Sequence, residues 1–165
     1  KCEIPGLCYN FSAVTSYLNQ DSVQTALGVK KKTWSSCNYK VNGMFSADWM
    51  RHFNQDIPDL INNNIRVLIY AGDCDFICNW LGNKAWTLAL PWNKSQQFNK
   101  ETDKPWLNKN GTEVAKYRTV PGVGTEFLFT FLQIHAAGHM VPMDQPEVAL
   151  NMIDEFISNG KWGQQ

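Results

Sequence analysis

The chain has 165 residues, 44% of them apolar and 13% aromatic, with fifteen basic side chains balanced by fifteen acidic ones. This is the size of one ordinary domain with enough apolar surface for a real core, which excludes a disordered chain or a peptide toxin. No basic run exceeds Lys30-Lys31-Lys32 and no stretch approaches the roughly eighteen apolar residues that a bilayer span requires, so neither a nucleic-acid nor a membrane partner has a footprint here.

The chain opens Lys1-Cys2-Glu3 without an initiator Met or a charged-then-apolar leader, so it is expected to be a piece of something longer. Asp21–Ala26 reads as a helix with Asp21 as cap and Gly28 as stop. Residues 54–61 continue an amphipathic stretch into Asn62-Asn63-Asn64. Ile65-Arg66-Val67-Leu68-Ile69-Tyr70 then forms a nearly continuous apolar run, as expected of a strand buried on both faces in a parallel sheet, and Ala71-Gly72-Asp73 ends it. Residues 93–112 are polar and read as an exposed excursion. Residues 116–120 and 126–135 flank Pro121-Gly122-Val123-Gly124-Thr125 and read as a hairpin, with Phe127–Leu132 in a central strand. Gln145-Pro146 starts a final helix in which Val148, Ala149, Met152, Ile153 and Phe156 share a face, ending near Asn159-Gly160. The order predicts an α/β layer with too few strands for a whole doubly wound sheet.

Five cysteines occur, at 2, 8, 37, 74 and 78. Cys2 and Cys8 enclose a short Pro- and Gly-containing loop that can bring their sulfurs together as a disulfide. The rival, a zinc pair, lacks further ligands at suitable spacing. Sequons at Asn10, Asn93 and Asn110 accompany that pair, and together they favour the secretory pathway, ending in a lysosome, vacuole or the extracellular space. The odd cysteine count leaves one thiol free or paired with a chain outside this sequence.

Two positions carry chemistry. Asp75 follows the first strand and His139 the last, and open α/β sheets collect functional groups at the carboxyl ends of their strands. An acid and then a histidine on two such loops is how an α/β-hydrolase places the last two members of its triad. The spacing of His135 and His139 is compatible with metal ligation only on a shared helical face, which Ala136-Ala137-Gly138 disfavours. No third ligand is evident, and no metal or cofactor is expected. His52 reads as a surface histidine, and Trp80 with Trp86 as packing residues.

Residues 69–86, Ile-Tyr-Ala-Gly-Asp-Cys-Asp-Phe-Ile-Cys-Asn-Trp-Leu-Gly-Asn-Lys-Ala-Trp, closely resemble the catalytic-Asp segment of serine carboxypeptidases, particularly the carboxypeptidase Y branch. Ala137-Gly138-His139-Met140-Val141-Pro142, continued by Asp144-Gln145-Pro146, resembles the catalytic-His segment of the same family. Cys8-Tyr9, Tyr17-Leu18-Asn19-Gln20, Ser36-Cys37-Asn38 and Asp48-Trp49-Met50 fall in family order. The resemblance covers essentially the whole chain and is weakest over 93–125.

It implies the C-terminal part of an α/β-hydrolase fold, with residues 1–60 as the tail of a cap region and 61–165 as the end of the core. It implies Asp75, rather than Asp73, as the triad acid and His139 as the general base. Met140 would line the subsite for the leaving residue, and Trp49, Ile77 and Cys78 the pocket for the penultimate side chain. Cys2–Cys8 matches a family disulfide, and Cys37 a cysteine bonded to a segment far upstream. Cys74 departs from the branch pattern and is either free or bonded to Cys78. No Gly-x-Ser-x-Gly occurs, so the nucleophilic serine is expected on a preceding N-terminal segment or heavy chain, with peptides as substrates and little activity from this chain alone. The alternatives are an acyltransferase of the same fold or a non-catalytic truncated binding module.

Overall fold

The computed structural model describes residues 10–158, which fall into two compact units divided between Arg51 and His52. The expected disulfide between Cys2 and Cys8 and the Asn159-Gly160 stop lie outside the described residues.

The first unit holds three short helices, α1 (Ser12–Leu18), α2 (Asp21–Ala26) and α3 (Tyr39–Met44). Its described residues bury no large apolar side chain, and polar clamps organise it instead. Gln24, itself buried, donates to the carbonyls of Leu18 and Lys32 and accepts from the Lys32 amide. Asn19 brackets Trp34 in the same manner through its amide and carbonyl. Gln20, not Asp21, is the N-cap of α2, and Asp21 instead sits in the first turn, where its charge favours the helix dipole.

In the second unit a short 3₁₀ turn (Phe53–Asp56) leads into α4 (Ile57–Asn62) and then β1 (Val67–Gly72). Next come α5 (Trp80–Ala89), α6 (Ser95–Lys100), β2 (Lys104–Leu107), β3 (Glu113–Gly122), β4 (Thr125–Ile134), α7 (Val141–Asp144) and α8 (Pro146–Ser158). The sheet order is β1-β4-β3-β2, with β1 parallel to β4 and the other pairs antiparallel. The expected hairpin is β3–β4, tightened so that Gly122 pairs Thr125 and Gly124 takes the turn with φ of +68°. Its second strand is central and buried from Phe127 to Leu132, as its apolar run predicts.

Each face of the sheet carries a core. On one, Leu132 and Ile134 pack with Trp106, Ala115 and the Val148, Ala149 and Met152 stripe of α8. On the other, Phe129 and Phe131 pack with Ile61, Leu90, Trp92 and Phe98, and Trp80 and Trp86 lean against this cluster. Removing each of Phe98, Trp106 and Phe129 from water contributes about 2–3 kcal/mol.

Three expectations need correction. Residues 93–112 are not an exposed excursion: they contain α6 and the edge strand β2, whose polar sequences each hide one large aromatic, Phe98 and Trp106. The 65–70 strand is shifted to Val67–Gly72 and only half-buried through its middle, with Tyr70 exposed, because β4 is its one strand partner among the described residues. Ile153 is exposed rather than on the buried stripe of α8.

Candidate active site at the carboxyl edge of β1 and β4

Because β1 and β4 run parallel with Gly72 opposite Ile134, the loops that follow them leave the same edge of the sheet. The two loops are stitched together by backbone. The Asp73 amide donates to the Ile134 carbonyl at 2.9 Å and the Cys74 amide to the Ala137 carbonyl at 2.9 Å. Gly72 makes this approach possible, since a Cβ there would stand 2.2 Å from the Ala137 oxygen and 2.6 Å from that of Gly138.

On this edge stand two Asp–His pairs. In the outer pair His139 Nδ1 lies 3.0 Å from Asp75 Oδ2. The other Asp75 oxygen, Oδ1, accepts the amides of Ile77 and Cys78, each at 3.0 Å, so the loop folds around the carboxylate. The Asp75 side chain is 7% exposed and the His139 ring 61% exposed. Burial alone would raise the Asp75 pKa. The hydrogen bonds from His139 and the two amides, with the charge of His139, outweigh it and hold the carboxyl below its ordinary 3.8. A carboxylate at Nδ1 fixes the tautomer with its proton on Nδ1. Nε2, which makes no hydrogen bond among the described residues, is then free to accept a proton.

In the inner pair His135 Nδ1 lies 2.8 Å from Asp73 Oδ2, and its Nε2 lies 2.9 Å from Glu113 Oε1 at the start of β3. Asp73 Oδ1 accepts the Ala136 amide at 2.9 Å and the Cys74 thiol at 3.4 Å. Burial opposes the charged form of Asp73, but these hydrogen bonds and the charge of His135 hold its pKa below 3.8. With both nitrogens engaged, His135 has no free position for an incoming group. Of the two histidines, only His139 keeps a ring nitrogen without a hydrogen bond among the described residues.

The remaining side chains on the Asp75 loop turn outward. Phe76 and Ile77 are largely exposed, as are Cys74 and Cys78, both free thiols. Asn79 caps α5 by accepting the Gly82 amide, and Asn83 donates to the Cys78 carbonyl, which ties the far end of the loop. Past His139, the Met140 carbonyl receives the amides of Met143 and Asp144, and Asp144 returns a bond to the Gly138 amide. Asp75, Cys78 and His139 each place a donor atom within 4.8 Å of the others, but the protein's own hydrogen bonds already occupy both Asp75 oxygens, and no metal is assigned. Trp49 is exposed within the first unit, and Cys37 there is a free, exposed thiol. Asn10, Asn93 and Asn110 are all exposed. The inner pair is not visible in the sequence, where the spacing of His135 from His139 suggests only metal ligation. Extending the hairpin register outward from Ala115–Ile134 brings Glu113 beside residues 135–136 and could have found it.

The serine carboxypeptidase family model matches residues 4–159. The chain belongs to the serine carboxypeptidase family. It is 42% identical to carboxypeptidase Y of Komagataella phaffii, over 96% of this chain and 29% of that protein. It is likewise 42% identical to carboxypeptidase Y of Saccharomyces cerevisiae, over 96% of this chain and 30% of the relative. With carboxypeptidase Y homolog A of Chaetomium globosum the identity is 46%, over 94% and 27%. The crystal structure of a prohormone-processing carboxypeptidase from Saccharomyces cerevisiae superposes with a TM-score of 0.70 at 20% identity, covering 90% of this chain and 32% of that one. That likeness shows the fold, a partial α/β-hydrolase. The chain spans less than a third of the length of these relatives and corresponds to their C-terminal part.

Proposed function

We propose that this chain supplies the acid and the base of a serine-type carboxypeptidase. A preceding portion of the protein would contribute the nucleophilic serine and the oxyanion donors. The observation that carries the reading is the outer pair: Asp75 holds Nδ1 of an exposed His139 whose Nε2 has no partner among the described residues. In the reaction, His139 Nε2 takes the serine proton as the hydroxyl oxygen attacks the scissile carbonyl. It returns that proton to the leaving amino acid, then activates water against the acyl-enzyme. Asp75 keeps the tautomer and stabilises the imidazolium.

Ile77 and Cys78, exposed beside Asp75, would face the penultimate side chain of a peptide, and Met140 the leaving residue. The role given to Trp49 rests on the resemblance alone. The partner segment is supported by the outer edge of β1, which pairs no strand among the described residues and offers a parallel strand an open ladder next to exposed Tyr70. Cys37, a free thiol here, suits a disulfide to that segment, and the exposed sequons suit passage through the secretory pathway.

The test uses the full-length protein and an N-blocked dipeptide, with release of the C-terminal amino acid as the readout. His139→Ala should lower kcat by about four orders of magnitude or more while the protein stays folded. Retention of a tenth of the turnover would remove His139 as the base. Release of an acyl group to an alcohol, with no peptide hydrolysis, would favour an acyltransferase instead.

A further inference from the structure

His135 is the one histidine among the described residues with both ring nitrogens against carboxylates, at 2.8 Å to Asp73 and 2.9 Å to Glu113. A neutral imidazole carries one N–H and can satisfy only one of them, leaving the other nitrogen's lone pair facing carboxylate oxygens. Only the imidazolium donates to both. The ring is 27% exposed, so this is a partly desolvated contact.

The three members of this cluster lie on three separate pieces of chain. Asp73 is on the loop after β1, two positions before Asp75. Glu113 begins β3, and His135 begins the loop that carries His139. Asp73 also holds the Ala136 amide, and Ala136 has φ of +53°, an unfavourable conformation for a residue with a Cβ that must be held by its surroundings.

We propose that protonated His135 is a positioning residue: a cationic clamp between Asp73 and Glu113 that holds the 135–140 loop, and thereby His139, in register with Asp75. The proposal rests on the reading of Asp75 and His139 as acid and base. The other ionisable groups around the clamp are Lys116, 3.8 Å from Glu113, the Cys74 thiol on Asp73, and Asp144, which acts on Cys74 and binds the Gly138 amide.

Burial works against the imidazolium, but its hydrogen bonds to Asp73 and Glu113 and their two charges prevail and raise the His135 pKa above 6.5. The sign follows. A base with a raised folded pKa stabilises the protein fully below its unfolded value near 6.5 and loses that stabilisation as pH rises through the folded pKa.

The experiment compares full-length wild type, His135→Gln and His135→Arg between pH 5 and 9, with kcat and KM on a blocked dipeptide and thermal unfolding of the same proteins. Dividing each variant's kcat by that of wild type at the same pH cancels every ionisation they share. At pH 5, His135→Gln should lower kcat on the order of ten-fold with KM unchanged, because the base and not the substrate is displaced. That ratio should climb towards one as pH rises through the raised folded pKa of His135 and wild type loses its own clamp. His135→Arg, permanently charged and able to donate in two directions, should keep kcat at pH 5 and exceed wild type once His135 has lost its proton.

An unchanged kcat for His135→Gln at pH 5, or variant ratios that are flat with pH, would overturn the proposal. His139→Ala separates this from the parent reading: retained turnover there means the triad assignment fails. In that event the His135→Gln series repeated on the His139→Ala protein decides the clamp. A Tm deficit confined to low pH upholds it as a loop staple, and a deficit independent of pH overturns it.

Discussion

The outer and inner halves of the carboxyl edge use the same two residue types to opposite ends. The outer half, Asp75 and His139, leaves one imidazole nitrogen unbonded and the ring exposed. The inner half, Asp73, His135 and Glu113, bonds every polar atom of its histidine and encloses it more deeply. Chemistry needs an unsatisfied atom, whereas a joint between loops needs the reverse. What distinguishes a base from a staple is therefore the second nitrogen, since an aspartate stands beside the first in both.

Four substitutions and one condition test that contrast, taken from the largest effect to the smallest. Asp75→Asn in the full-length enzyme should cost about 10⁴-fold in kcat by releasing the wrong tautomer of His139. Asp73→Asn should cost far less turnover and be read mainly as lowered stability. Equal losses of turnover would erase the distinction between the two halves.

Gly72→Ala should destabilise by about 2–3 kcal/mol in a denaturant titration, because its Cβ would meet the Ala137 backbone, which cannot rotate away as a side chain can. An unperturbed midpoint would mean that the two loops are less tightly joined than their hydrogen bonds indicate.

Acid titration probes both aspartates. Their folded pKa values lie below 3.8, so their contribution to stability is complete above the unfolded value and disappears as pH falls through the depressed ones. The Tm difference between wild type and Asp73→Asn should accordingly be constant well above the ordinary 3.8 and narrow steadily as pH falls below it. A difference that stays constant down to pH 2 would contradict the assigned direction. Smallest of all, Ala136→Gly should raise Tm slightly, by relief of about 0.5 kcal/mol of left-handed strain net of its added chain entropy. A clear fall in Tm would show that the Ala136 methyl group packs usefully.

Much of this arrangement is legible from sequence where one segment carries its own signal. Phe127–Leu132 announces a central strand because it is apolar on both faces, and Asp75 and His139 stand out because each follows a strand. What escapes detection depends on distant partners. Phe98 and Trp106 are single aromatics in polar stretches, and their burial is decided by the sheet face above them rather than by local periodicity. His135 looks like a spare ligand until the β3–β4 register brings Glu113 to it, and the value of Gly72 depends on a backbone 65 positions later. The apolar run of β1 reads as fully buried because composition records hydrophobicity and not how many neighbours a strand will find.

The parallel pairing of β1 with β4 also sets an order in time. The β3–β4 hairpin closes over a short turn, whereas Asp75 and His139 are 64 positions apart and can meet only once β1 has docked beside a strand already in place. Local contacts form quickly and distant parallel ones slowly, since the loop entropy must be surrendered before the pairing returns anything. The Asp75–His139 pair is thus assembled by the late step of folding, and a chain stalled at the hairpin stage would carry both residues of the proposed dyad apart.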